Sequence, residues 1–305
     1  MKNGYEIRYI RTKNKIRKIV TYSEDDIYYR DYHSKVVSFL HTYTFPSKFA
    51  KAYLPGTSIV SNAKAHMYND VFIKLDIHDF FHSINHDLLS KCLYFEINKR
   101  VKISYRECCK IVRECSVSDK GIPLGLVSSP ALANLYLKQF DGMLYGYIKT
   151  LGLNNPIYTR YADDMIISFK ANDIDNLMIY NIVDHIKAYL KVFHLKLNEK
   201  KTQIIDLNKS NHVRITGICI VKNEHNYRRL SVGNKLKNEL FWKLIDIYDH
   251  SDNYTQLEKR QAKGMLSFVL SVEKIGLDNN YSERMKLLLH ERGFDSLIEI
   301  AAAIT

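Results

Sequence analysis

Glycine and proline are scarce, 12 and 5 among 305 residues, which excludes collagen-like and Pro/Gly-rich disordered chains. The five cysteines form no CxxC pair, and only Cys108 and Cys109 are adjacent. Neither a zinc site nor a disulfide framework is expected from that spacing, which reads as reduced thiols in a cytoplasmic protein. No apolar run approaches the roughly 18 residues that span a bilayer, so no membrane partner is expected. The opening stretch, MKNGYEIRYIRTKNKIRKIV, is basic and lacks a hydrophobic segment, so no secretion signal is expected. Tryptophan occurs once, at Trp242.

Hydrophobic residues make up 46% of the chain, enough for a sizeable core. The length suggests about two domains. Lys and Arg number 45 against 33 Asp and Glu, a formal charge of +12. Such an excess favours a polyanionic partner, nucleic acid first. Many of the 22 tyrosines lie near cations, as in Tyr5-Arg8-Tyr9, Tyr28-Tyr29-Arg30, Tyr158-Arg160-Tyr161 and Tyr227-Arg228-Arg229. Aromatics interleaved with cations can stack on bases while the cations follow phosphates. Tyrosines that fill half-buried strand positions give the same pattern.

Residues 5–10 and 15–22 read as strands of a basic hairpin turning at Thr12-Lys13-Asn14. Asp26 to Tyr43 reads as a helix, and VFIKLDI at 71–77 as a buried strand that ends in an acid. Helices are expected over 86–97, 103–115, 129–144 and 174–191. Strands are expected at 157–161 and 165–169 around Ala162-Asp163-Asp164, and again near 203–206 and 213–221. Beyond about residue 232 helical spacing dominates, through Leu236, Leu240, Leu244 and Ile247. The order predicts an α+β lobe followed by a small helical domain.

Asp163 and Asp164 adjoin at a tight turn between hydrophobic strands, where their charges repel and burial is costly. Turn propensity alone accounts for an isolated Asp-Asp pair. A third acid, Asp76, ends another hydrophobic strand, so one sheet could bring all three together. Three carboxylates at a sheet edge suit a pair of Mg2+ ions and in-line phosphoryl transfer.

With these acids in view the sequence resembles a reverse transcriptase. Phe72 to Phe81 (FIKLDIHDFF) resembles the motif with the first metal-binding Asp. Gly121 to Pro130 (GIPLGLVSSP) resembles the Pro-x-Gly-x-x-Ser-Ser-Pro motif, and Tyr161-Ala162-Asp163-Asp164 is the YADD box. Leu197 to Thr202 (LNEKKT) resembles the following motif, whose Lys is a proton donor to pyrophosphate. Within the family the chain is most similar to the bacterial retron type, through Asn62-Ala63-Lys64-Ala65-His66 and Ile215-Thr216-Gly217. The usual Gln of the Pro-Gln-Gly element is Leu124 here, which removes or replaces a contact to the incoming nucleotide.

The resemblance implies a right-hand polymerase. Fingers and palm, with an antiparallel palm sheet, would occupy residues 1–210. A palm–thumb hairpin and helical thumb would occupy 211–305. It assigns Asp76, Asp163 and Asp164 as ligands of two Mg2+ ions, with the Ile77 carbonyl as an extra oxygen and Lys201 as general acid. Phe81 falls where the family places a bulky gate against a 2′-hydroxyl, although a core Phe fits as well. Asp79 faces the triphosphate or caps a turn. Arg17 resembles the fingers cation over the triphosphate, with Lys13 and Lys18 as competitors. Gly125 allows close backbone approach to nucleotide or template, or is an ordinary turn glycine. Asn62 and His66 contact RNA or form a polar capping network. Lys235, Lys259, Arg260 and Lys263 grip nucleic acid or solvate a helix face. His78 and His82 form an HxxxH that lacks the Glu of a zinc protease.

The function so implied is RNA-directed DNA synthesis from dNTPs on a dedicated structured non-coding RNA. That RNA serves as template and primer, and the product is RNA-linked single-stranded DNA (msDNA) with an RNA–DNA duplex. An antiphage role with a separate effector protein is implied as well. Three alternatives stand: a defence-associated reverse transcriptase primed differently, a non-catalytic RNA scaffold that restrains an effector, and an RNA-dependent RNA polymerase, which Phe81 disfavours.

Overall fold

The computed structural model of the chain describes residues 4–12, 15–24, 27–172, 174–273 and 281–304. Lys13 and Asp26 lie outside them. The chain divides into two compact units. One comprises residues 1–62 and 68–209, the other residues 63–67 and 210–305.

In the first unit, β1 (Tyr5–Thr12) and β2 (Lys15–Tyr22) pair as the basic hairpin. Helix α1 (Ile27–Tyr43) follows, burying His33, Val36 and Leu40, and then α2 (Ile59–Ala65), whose residues 63–65 are counted with the second unit. The central sheet is antiparallel, in the order β4 (Asn154–Tyr161), β5 (Asp164–Lys170), β3 (Val71–Asp76), β6 (Gln203–Asp206). The β-branched and aromatic run of β3 is buried on both faces: Val71, Phe72 and Ile73 are fully shielded. Against the sheet pack α3 (Phe80–Ser83), α4 (His86–Ile97), α5 (Tyr105–Glu114), α6 (Ser129–Tyr136), α7 (Lys138–Thr150) and α8 (Asn176–Val192), around one hydrophobic core. Ser104 and Glu107 close a reciprocal capping box that starts α5.

The single helix expected over 129–144 is two helices. Leu137, at φ −91 and ψ 0, breaks the run between α6 and α7. Tyr136 and Leu137 are both fully buried.

The second unit contains β7 (His212–Ile215), β8 (Ile218–Lys222) and β9 (Arg228–Ser231), an antiparallel sheet. The expected strand over 213–221 is thus a hairpin. Thr216 and Gly217 both have positive φ, 45 and 93, as a two-residue hairpin turn demands. Helices α9 (Asn234–Asp249), α10 (Gln256–Val272), α11 (Glu283–His290) and α12 (Leu297–Ala303) share a separate core built on Leu240, Phe241, Leu244, Leu266 and Ile300. Glu273 is buried beside them and accepts hydrogen bonds from Ser231 Oγ, the Val232 amide, Lys237 Nζ and Arg229 Nη1. Burial alone would raise its carboxyl; the bonds from Ser231, Val232 and Lys237 outweigh that and hold it below the usual range. No helix among the described residues is long and apolar enough to cross a membrane.

Candidate active site

The sheet register brings the acids together. Asp76, the last residue of β3, stands opposite Asp164, the first of β5. Tyr161 pairs with Asp164 across the β4–β5 turn, leaving Ala162 and Asp163 as a two-residue loop. Ala162 has φ 57, a left-handed conformation that costs a non-glycine residue about 1–2 kcal/mol. The Asp163 carbonyl accepts the Ile77 amide at 3.1 Å, and the Asp76 carbonyl accepts the Asn198 amide at 2.8 Å. Residues 76–78, 163 and 196–198 are therefore tied to one another through their backbones.

Around them lies a cavity of about 520 Å3, lined by Arg17, Lys18, Tyr53, Asp76, Ile77, Asp79, Phe80, Phe81, Leu124, Asp163, Asn198 and Lys201, among others. The Asp76 carboxylate takes Lys201 Nζ at 2.6 Å on one oxygen and Asn198 Nδ2 at 2.9 Å on the other. That hydrogen bond to Asp76 raises the Lys201 ammonium pKa, and the charges of Asp163 and Asp164 add to it. Burial raises the Asp163 carboxyl, helped by the charge of Asp76. Asp164 is pushed up to about 6 by desolvation first, then by Asp163 and Asp76. Among the described residues no three acidic, histidine or cysteine side chains close into a ready ligand cage. The donor chemistry fits an oxygen-seeking divalent cation all the same: two carboxylates are raised by burial first and by neighbouring negative charge second, and a cation would offset both.

Other expected residues fall in distinct places. Arg17 and Lys18 both line the cavity, and the charge of Arg17 reaches Asp163 and Tyr53. Phe81 is almost fully buried, yet it forms part of the cavity wall beside Phe80. Asp79 makes no capping hydrogen bond; its carboxylate meets His82 Nδ1 at 2.8 Å. Gly125 allows a close approach, but to the hairpin: at φ 109, an added Cβ would lie 2.4 Å from the Val20 carbonyl oxygen and from Ile19 Cγ2. The Leu124 carbonyl accepts the Val20 amide at 2.8 Å. Tyr22 Oη accepts the Val127 amide, and buried His33 is hydrogen-bonded to both Tyr5 Oη and Ser128 Oγ. The loop at 121–128 is thus the dock for the hairpin that carries Arg17. Gly125→Ala is expected to destabilise the first unit by about 1–3 kcal/mol, read as a lower urea midpoint.

Several charge-based expectations need correction. Asn62 and His66 are fully buried, and Asn62 Oδ1 accepts Thr159 Oγ1 at 2.7 Å, an internal contact. Lys259 is buried with its ammonium on Ser251, and Lys263 donates to the Ile304 carbonyl. Both lysines spend their charge inside the second unit, whereas Lys235 and Arg260 are exposed. Tyr5, Tyr158 and Arg160 are core residues, while Tyr9, Tyr28 and Tyr227 are exposed. Tyr53 and Asn198 are site residues that charge and spacing did not single out; the Leu54-Pro55-Gly56 turn and the LNEKKT motif were the nearest signals. All five cysteines are free thiols.

A family profile described as reverse transcriptase (RNA-dependent DNA polymerase) matches residues 10–265. The retron Ec73 reverse transcriptase of Escherichia coli is 29% identical over 201 residues, covering 63% of this chain and 61% of that protein. The E. coli retron Ec83 enzyme is 23% identical over 242 residues, covering 78% and 74%. For the E. coli retron Ec86 enzyme the values are 26% over 228 residues, 74% and 63%. The chain therefore spans less than two thirds of the length of two of these three relatives. Among solved structures, apo telomerase from Candida tropicalis superposes with a TM-score of 0.59 at 12% identity, covering 98% of this chain and 63% of that one. That likeness speaks to the fold, the right-hand polymerase arrangement. The chain belongs to the reverse transcriptase family, and its resemblance within that family is to the bacterial retron type.

Proposed function

We propose that this chain is the RNA-directed DNA polymerase of a retron. It copies part of a dedicated structured non-coding RNA into RNA-linked single-stranded DNA, in antiphage defence with a separate effector protein. The observation that carries the reading is the meeting of Asp76, Asp163 and Asp164 at adjacent ends of the two inner strands, beside a cavity that also holds Arg17 and Lys201. Fingers and palm then occupy residues 1–210, and the palm–thumb hairpin and thumb residues 211–305. Five free thiols suit a cytoplasmic setting. The telomerase structures from Candida albicans and C. tropicalis that contain a telomeric RNA fragment support an RNA partner for this fold.

Asp76, Asp163 and Asp164 would hold two Mg2+ ions, with the Ile77 carbonyl as a further oxygen. The ions would activate the attacking 3′- or 2′-hydroxyl and neutralise charge on the leaving pyrophosphate. Arg17 on the docked hairpin clamps the triphosphate, and Asp79 stands on the same wall. Lys201 keeps its proton at the Asp76 carboxylate, where it is available to the pyrophosphate oxygen as that group departs. Asn198 holds the other Asp76 oxygen and so fixes the carboxylate's orientation. Phe81 closes the floor of the cavity beneath the sugar. Of the four cations expected to grip nucleic acid, Lys235 and Arg260 are the exposed ones, free to follow a nucleic-acid backbone.

Phe81→Ala is expected to lower the preference for dNTP over rNTP by on the order of tenfold or more, in competition assays on an RNA template. An unchanged preference would return Phe81 to a core role. The retron reading is tested by sequencing nucleic acid that co-purifies with the protein, with and without RNase. Branched RNA joined to DNA is expected. RNA without DNA would point to the scaffold, and DNA primed otherwise to a different defence-associated enzyme.

A further inference from the structure

Arg160 is fully buried, and the chemistry above makes no use of it. Its Nε and Nη2 donate to the two oxygens of buried Asp141, each at 2.9 Å. That bidentate grip uses the planar fork only arginine offers, and an ion pair of this kind is by itself weak support for a fold. The third nitrogen points elsewhere. Nη1 donates to the Ala162 carbonyl and to Asn134 Oδ1, each at 3.1 Å. Asn134 Nδ2 in turn donates to the Ala52 carbonyl at 2.9 Å.

Both carbonyls lie just before residues of the catalytic cavity. The Ala162 carbonyl belongs to the peptide that enters Asp163, and the Ala52 carbonyl to the peptide that enters Tyr53. Each place is strained: Ala162 has φ 57 and Tyr53 has φ 61, conformations that persist only where the surroundings impose them. The backbone around Arg160 adds to the restraint, since its amide donates to the Phe49 carbonyl and its carbonyl accepts the Lys51 amide. One guanidinium therefore joins the turn that carries Asp163, helix α6 behind the 121–128 loop, and the segment that carries Tyr53.

The geometry points to Arg160, acting through Ala162 and Asn134, as the positioning residue that sets Asp163 and Tyr53 for the cation and the incoming nucleotide. It rests on the polymerase reading for its activity measurement and on Mg2+ binding for the other. Lysine can neutralise Asp141 but has one ammonium, which cannot also span Ala162 and Asn134. The full chain is compared with Arg160→Lys and with Arg160→Met/Asp141→Asn, which removes both charges and leaves Tyr158 an acceptor.

Thermal shift with MgCl2 alone gives the concentration for half the effect. Single-nucleotide incorporation on an RNA template gives kcat and KM. Arg160→Lys keeps the charge opposite Asp141 and is expected to fold with a lowered melting temperature. Its half-effect Mg2+ concentration should rise about tenfold and its kcat fall about 100-fold, with KM for dNTP changed less than about threefold. A merely structural arginine would have both kcat and Mg2+ response restored by lysine, and that result overturns the inference. If lysine does not fold, the double variant decides: wild-type Mg2+ response and kcat in it are equally contrary. If the wild type responds to Mg2+ but incorporates nothing, the polymerase reading fails and the Mg2+ arm alone judges Arg160. A wild type with neither response overturns both.

Discussion

Asp163→Asn is expected to reduce single-nucleotide incorporation on an RNA template by on the order of 1000-fold, about 4 kcal/mol of transition-state stabilisation. The amide keeps the size of the side chain and its place in the Ala162-Asp163 loop, so folding should change little. What it removes is a full negative charge beside Asp76 and Asp164, where burial already raises the Asp163 carboxyl. A divalent cation bound there would lose one of its few anionic partners. Asp164 should then titrate closer to its ordinary range, because repulsion from Asp163 is the second cause of its rise, after desolvation. Incorporation within about tenfold of wild type would mean that Asp163 is not a metal ligand.

The largest loss of stability is expected from Asp141→Leu, about 3–5 kcal/mol. Leucine fills most of the space but strands the guanidinium of Arg160, which is fully buried and donates two of its hydrogen bonds to Asp141. The Tyr158 hydroxyl, 2.7 Å from Asp141 Oδ1, loses its acceptor too. Against a total of roughly 5–15 kcal/mol for a folded domain, such a loss puts the unfolded state within reach near body temperature. The urea midpoint measures it, and combining Asp141→Leu with Arg160→Met should recover most of the loss. A cost below about 1 kcal/mol would show that Arg160 finds other acceptors.

Much of the site was legible because its residues terminate secondary structure. Asp76 closes a β-branched run and Asp163-Asp164 interrupts another, so alternation and turn chemistry mark all three before any contact is known. The motifs across 72–202 singled out Phe81 and Lys201, and the basic hairpin singled out Arg17; all three line one cavity. The partners that hold these residues were not legible, since they come from distant segments: Asn198 on Asp76, Arg160 on Ala162, Val20 against Gly125. Charge spacing was the least reliable guide. Lys237 and Lys259 sit on helix faces that also carry exposed cations, and only the presence of Glu273 and Ser251 inside the fold tells that these two turn inward. Similarly, 129–144 keeps helical spacing throughout, and nothing in that spacing marks the break at Leu137.

The claim that the acids await a cation is tested most directly by melting temperature against pH, with and without Mg2+. An acid whose folded pKa is raised favours the folded state while protonated. That contribution is fully present below the unfolded value near 4 and is lost as pH rises through the folded value, about 6 for Asp164. Without Mg2+, the Asp163 and Asp164 contribution should therefore fall between about pH 4 and 6.5. With Mg2+ it should instead rise over that range, as deprotonated carboxylates bind the ion. In Asp163→Asn/Asp164→Asn the Mg2+ effect should vanish. A Mg2+ response that is absent from the wild type, or survives unchanged in the double variant, would contradict the assignment of the site.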